Sequence, residues 1–343
     1  MSALHKIARV LSGASPASST TAGAAPPALS LPAPDSSTSL PLPETLRVCV
    51  LPEVVYQRGA YSESLHLPGA RLRLFDLQAE AVEAMRREGI GLFGPIAAGR
   101  GKTAIAILAP VVLECDFAIV LTKSGIVEQT RRAVVELSAS FELRPLRIVS
   151  YSILSHKQGS RLLEDTVSRF DPARVVIVCD EAHSLASPSS ARTRRVLRFA
   201  RAFPSVRWVM LSGTLLRRSI RDVAHLAELA LRDRSPLPAA GVYGARATSH
   251  LEAWSECIDP DGRPAPEAWN TLAPLGAFGG VDLASLRGAA RVDAVRACFA
   301  ARLRTCPGVV MSLGDGVEAA LRLRLLDEPK PPASVDEALP VHS

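Results

Sequence analysis

The sequence predicts an α/β domain in which a parallel sheet lies between layers of helices, and two observations carry that prediction. Apolar runs rich in Val and Ile at 90–93, 117–121, 146–149, 175–179 and 208–211 alternate with longer stretches of helical periodicity. Each run is too short for a helix, and strands buried on both faces read as continuous apolar runs rather than alternating ones. Residues capable of chemistry follow directly after these runs, at the carboxyl ends of the strands, where open parallel sheets take their ligands.

Residues 1–45 are rich in Ser, Ala and Pro, and the first 34 carry His5, Lys6 and Arg9 but no acidic residue. That composition predicts a disordered tail, with a faint likeness to an organellar transit peptide. The run LRVCVL at 46–51 reads as a short strand leading into the folded part. From Phe75 to Arg87, apolar residues at Phe75, Leu77, Ala81, Val82 and Met85 have helical spacing. The strand at 90–93 follows, then a glycine-rich turn, then a helix over 102–113. Residues 46–232 are therefore read as one domain. Beyond about Leu231 the pattern loosens, and 233–343 is read as a mostly helical extension or linker. Within it a helix is expected over 292–304, an exposed strand at 317–325, and linker-like sequence at 328–343. Arg291, Arg296, Arg302 and Arg304 recur near helical spacing and suggest a solvated helix face or, alternatively, a phosphate-binding one.

Composition excludes several classes. The 343 residues carry a net charge of +6, 48% hydrophobic and 22% charged residues, which is globular and favours an anionic partner, nucleic acid first. Cys49, Cys115, Cys179, Cys257, Cys298 and Cys306 show no CxxC spacing, so neither a zinc site nor a disulfide framework is expected, and a reducing cytosol fits. No apolar run reaches the ~18–20 residues of a membrane span.

Two segments carry chemistry. In Ile96-Ala-Ala-Gly-Arg-Gly-Lys-Thr103, the turn at Gly99, Arg100 and Gly101 directs backbone N–H groups toward phosphate oxygens, helped by the positive end of the following helix. Lys102 would reach the β- and γ-phosphates of ATP, and the Thr103 hydroxyl would bind Mg²⁺. Ile96 stands where the strict GxxxxGK[ST] pattern has glycine. In Val175-Val-Ile-Val-Cys-Asp-Glu-Ala-His183, an apolar strand delivers two carboxylates to the sheet's edge. Asp180 would hold Mg²⁺, and Glu181 would polarise the attacking water as general base.

Together with Ser212-Gly-Thr214 after the next strand, these segments resemble the N-terminal motor domain of superfamily 2 helicases and translocases over roughly residues 70–232. DEAHSLASPSSARTRR, LSGT at 211–214, Thr122-Lys-Ser124 with Gln129, and Ser150-Tyr-Ser-Ile-Leu154 resemble its Swi/Snf-type branch of duplex-DNA translocases, although that branch has proline where Leu215 stands here. The resemblance implies a P-loop NTPase domain of RecA-like fold, an ATP hydrolase that moves on nucleic acid, and a cytoplasmic or nucleoid-associated protein. It places Gln78 at the adenine edge, although a solvent-facing glutamine reads almost as well. It places Lys123 and Ser124 on the nucleic-acid backbone, with helix capping by Ser124 as the alternative, and Tyr151 either on nucleic acid or in packing. His183, Ser212 and Thr214 would link the nucleotide to the nucleic-acid surface. Such motors also require a second RecA-like domain, in the same or another chain, to supply an arginine. No Gln-x-x-Gly-Arg-x-x-Arg pattern follows Thr214, so the chain by itself is expected to bind ATP but turn it over slowly. Two other classes remain open: an ATP-switched nucleic-acid-binding protein without motor activity, and an RNA helicase or restriction-system translocase fragment.

Overall fold

The computed structural model describes residues 43–159, 161–215, 219–243, 249–259, 261–262, 264 and 268–312. All but the last three residues of the expected tail, the strand expected at 317–325 and the linker at 328–343 lie outside that set.

All five apolar runs form strands: β1 (Gly91–Gly94), β2 (Phe117–Thr122), β3 (Leu146–Ser150), β4 (Val175–Asp180) and β5 (Arg207–Leu211). They make one sheet in the order β1-β5-β4-β2-β3, with every neighbouring pair parallel. The register sets Asp180 beside Leu211 and Leu121 beside Cys179, so the strands end nearly level. Because side chains alternate along a strand, Val176, Val178, Val209 and Leu211 enter one core while Ile177, Cys179, Trp208 and Met210 enter the other.

Helices cover both faces. Eleven are described: α1 (Pro43–Val50), α2 (Ala60–Ser64), α3 (Asp76–Glu88), α4 (Lys102–Val112), α5 (Val127–Ser138), α6 (Leu162–Val167), α7 (Ala191–Ala202), α8 (Ala224–Leu231), α9 (Ser249–Ile258), α10 (Ala268–Thr271) and α11 (Gly288–Thr305). Helices α3 and α4, with Leu137 of α5, build the core behind Val176 and Val178, whereas α6, α7, α8, α9 and α11 contribute to the other. Local chemistry explains several boundaries. Helix α3 stops at Gly89, which takes the left-handed conformation at φ 67° that a side chain disfavours. Helix α7 starts at Ser190, whose hydroxyl accepts the Thr193 N–H at 3.3 Å.

The structure corrects three expectations. Residues 46–51 are not a strand: Pro43–Val50 is helical, with Thr45 and Val48 buried. A short apolar run does not distinguish strand from buried helix by periodicity, and here tertiary contacts decide. The Thr45 hydroxyl accepts the Trp254 indole N–H at 2.9 Å, and the Val48 carbonyl accepts Arg302 Nε at 3.0 Å. Second, residue 233 is not a domain boundary. Trp254, Leu275, Phe299 and Val309 share one core with Ile177 and Trp208 of the sheet. Residues 308–312 run alongside β1 in parallel, with Phe93 N–H donating to Gly308 O at 2.9 Å and Val310 N–H to Phe93 O at 3.2 Å. Third, the arginines of α11 do not form a uniformly solvated or phosphate-facing stripe. Arg302 is wholly buried, and Arg296 donates to the carbonyls of Ile258 and Asp259 at 2.9 and 2.8 Å. No helix among the described residues is long and apolar enough to cross a membrane.

Candidate functional site

The loop after β1 enters α4 through Gly99 and Gly101, both left-handed at φ 77° and 74°. Gly101 is constrained twice over, because a Cβ there would stand 2.0 Å from Gln78 Nε2. The first turn of α4 presents backbone N–H groups that have no acceptor within the helix, together with the positive end of its dipole. Gly99 and Arg100 are exposed at its mouth, whereas Lys102 is 8% exposed, with Thr103 half-buried next to it.

At the end of β4 the chain turns sharply. Glu181 sits at φ 58° and ψ 49°, a conformation disfavoured for a residue with a side chain and a form of strain that concentrates at functional sites. The turn sends its carboxylate toward α4: Lys102 Nζ lies 3.3 Å from Glu181 Oε1. The second carboxylate oxygen, Oε2, lies 3.1 Å from His183 Nδ1 and accepts from the Ser212 hydroxyl at 3.5 Å. His183 Nδ1 is also 2.9 Å from Ser212 Oγ, which in turn is 3.2 Å from the Thr214 hydroxyl and accepts the Thr214 N–H. Lys102, Glu181, His183, Ser212 and Thr214, drawn from three separate strand ends, thus form one connected polar network.

Asp180 is 4% exposed, and its Oδ1 has no hydrogen-bond partner among the described residues. Burial first, and then the negative charge of Glu181, push its carboxyl up to about 6, against the opposing pull of Lys102, its neighbouring backbone N–H and the Thr122 hydroxyl. A buried carboxylate oxygen without a donor is costly unless something positive meets it. A divalent cation bound by Asp180 and Thr103 fits that need, since Mg²⁺ is ordinarily held by few protein oxygens, with waters and phosphates completing its shell.

Other sequence-predicted residues divide cleanly. Lys123 and Ser124 are exposed at the carboxyl end of β2, and the short turn they begin has no side-chain cap. Tyr151 is not on the surface: at 2% exposure it packs among the core residues below the sheet's edge, which removes it from the nucleic-acid set. Gln78 is not solvent-facing either. It is 5% exposed, its Oε1 accepts the Phe75 N–H at 2.8 Å, and its Nε2 donates to Gly101 O at 3.2 Å, so its amide braces the glycine-rich loop.

Two contacts on that loop had no counterpart in the motif reading. Gly213 lies against it, and a Cβ there would meet Ala97 Cα at 3.1 Å and Ile96 O at 3.2 Å. Ser312 accepts the Ala97 N–H at 2.9 Å through its hydroxyl. Gly213 was visible as part of Ser-Gly-Thr; nothing local distinguishes Ser312.

The fold and site define an α/β protein with a five-stranded parallel sheet whose strand ends gather a lysine, two carboxylates and a glycine-rich helix start. Compared with protein-family models and with curated proteins, the chain finds no match.

Proposed function

We propose that this chain is the ATP-binding half of a superfamily 2 DNA helicase or translocase, with a P-loop NTPase domain of RecA-like fold, that couples Mg²⁺-dependent ATP hydrolysis to movement on nucleic acid, duplex DNA foremost. The observation that carries the reading is the approach of Lys102 Nζ to within 3.3 Å of Glu181 Oε1, next to the buried Asp180. Residues far apart in sequence thereby meet where a triphosphate laid on the start of α4 would end.

In this reading, N–H groups from Gly99 to Thr103 hold the phosphates, and Lys102 leaves Glu181 for the β- and γ-phosphate oxygens when nucleotide binds. Glu181, released from that ion pair but still held by Ser212 and His183, then takes the proton from the attacking water. Thr103 and Asp180 would hold Mg²⁺, which when bound neutralises developing charge on the phosphates. Gln78 acts through the loop, and any contact it makes with adenine requires its amide to leave Phe75 or Gly101. His183, Ser212 and Thr214 connect the nucleotide end to the surface where Lys123 and Ser124 meet the nucleic-acid backbone, which gives affinity without sequence preference. A second RecA-like domain, in the same or another chain, would supply the arginine whose absence costs phosphoryl transfer about 10³–10⁵ in rate. Such a protein would work in the cytoplasm or on the nucleoid.

Equilibrium binding of a fluorescent ATP analogue with Mg²⁺ tests the reading. Lys102→Ala should weaken binding at least about ten-fold, the loss expected for a charge-assisted contact. Glu181→Gln should keep binding and lose hydrolysis when the second motor half is supplied. Equal affinity in wild type and Lys102→Ala, or retained hydrolysis in Glu181→Gln, would sink it.

A further inference from the structure

We infer that Ser312, on the strand-like segment that closes the described chain, is a positioning residue for the glycine-rich loop and sets its affinity for nucleotide; the inference rests on the proposed ATP site. Ala97 is the pivot. Its N–H donates to Ser312 Oγ at 2.9 Å, and its carbonyl accepts from Lys102 Nζ at 3.4 Å. One residue therefore joins the serine hydroxyl to the lysine proposed to bind phosphate.

The surroundings leave this pivot little freedom. Ile96 before it is wholly buried in the core behind α4. Gly213 packs so closely that even a methyl group would press on Ala97 Cα at 3.1 Å and Ala98 N at 3.3 Å. Ser312 itself is 5% exposed and is anchored a second time by its own N–H, which donates to Pro95 O at 3.3 Å. Its register is set by Phe93, which exchanges bonds with Gly308 and Val310 on the same segment. A slip of one residue would replace the hydroxyl with an apolar side chain and leave the Ala97 amide without its acceptor.

This geometry separates the loop into two parts. The Ala97 amide is committed to Ser312 and fixes where the turn begins, while the amides at the start of α4 have no intrahelical acceptor and stay available for a ligand. Precise placement of such donors before the ligand arrives determines how much of their interaction appears as affinity. Ser312 touches no proposed reacting atom and acts through Ala97.

The experiment uses the full chain, Mg²⁺ and the fluorescent ATP analogue. Ser312→Ala should weaken binding about five-fold, the loss of one preorganising hydrogen bond, while Ser312→Thr, which keeps the hydroxyl, should stay within about two-fold of wild type. With the second motor half supplied, the same change should raise KM more than it lowers kcat. Ser312→Val, matched in shape to threonine, gives the hydroxyl's contribution independently should the alanine variant fold poorly. A merely structural serine would instead lower the melting temperature and leave nucleotide affinity unchanged, and that result overturns the inference. Wild-type affinity in Ser312→Ala alongside lost binding in Lys102→Ala overturns it while sparing the ATP reading; no binding by wild type overturns both.

Discussion

Residues 90–232 and residues 233–312 share one hydrophobic core, yet they announce themselves very differently. In the first region the strands are runs such as VVIVCD, every residue of which is buried, and their order along the chain follows plainly from alternation with helices. In the second, Pro and Gly interrupt the pattern, and sequence that reads as loose buries Trp254, Leu275, Phe299, Leu303 and Val309 almost completely. The contrast teaches that burial announces itself only where the secondary structure is regular. Arg302 makes the point most sharply. Its charged head is wholly buried and satisfied by the carbonyls of Val48 and Leu51, with the Phe278 ring 4.7 Å away. These carbonyls lie on or next to α1, so the two ends of the described chain are tied together behind the sheet.

The largest effect should come from breaking that tie. Arg302→Leu would leave the carbonyls of Val48 and Leu51 without their guanidinium donor and is expected to cost roughly 3 kcal/mol in urea unfolding. The loss should appear in the transition of the whole domain, monitored through Trp208 in the sheet; a separate early transition confined to the α11 region would show the two regions to be independent. Next comes Gly213→Ala, which presses the Ser-Gly-Thr segment on the glycine-rich loop. It should cost about 1–2 kcal/mol of stability and weaken nucleotide binding, and an unchanged affinity would mean that the contact is incidental.

A smaller effect sharpens the comparison through pH. His225 in α8 is 3% exposed, and its Nε2 lies 2.9 Å from the Leu185 carbonyl, just past the Glu181 turn. Burial lowers its pKa from the ordinary 6.5, so the folded protein keeps the ring neutral. Below pH 6.5 the unfolded chain takes up the proton more readily than the folded one, so this contribution to stability is present above that pH and is lost as pH falls toward the lowered folded value. Between pH 7.5 and 5.5 the raised Asp180 carboxyl contributes in the opposite sense, so the readout is the comparison of proteins: His225→Gln should lose less stability over that interval than wild type, and an identical pH slope in the variant would assign the effect elsewhere. Smallest of all, Lys123→Ala should leave stability unchanged and reduce the salt slope of DNA binding by about one. No change in that slope would remove Lys123 from the nucleic-acid surface.

Much of the candidate site was legible beforehand because its residues sit at strand ends with a recognisable spacing. Gly99-Arg-Gly-Lys-Thr103 and Asp180-Glu181 arrive side by side because β1, β5 and β4 are adjacent and parallel. For Tyr151 the sequence left nucleic-acid contact and packing open for a related reason: the end of a strand can present a side chain to solvent or fold it under the sheet, and Val149, Leu154 and Cys179 are there to receive it. Gln78 followed a similar course, since helical spacing does not reveal that the adjacent glycine-rich loop would cover it.

What the amino-acid order determined alone was the repeating strand–helix pattern and the identity of the lysine, threonine and paired carboxylates, since both depend on short-range periodicity and residue chemistry. Only the tertiary structure decided that 43–50 is a helix, that the loose region belongs to the core, and that Ser312 grips Ala97. These outcomes rest on contacts between segments up to 254 residues apart, as between Arg302 and Val48. Local pattern records which groups want burial or a partner; long-range packing chooses the partner.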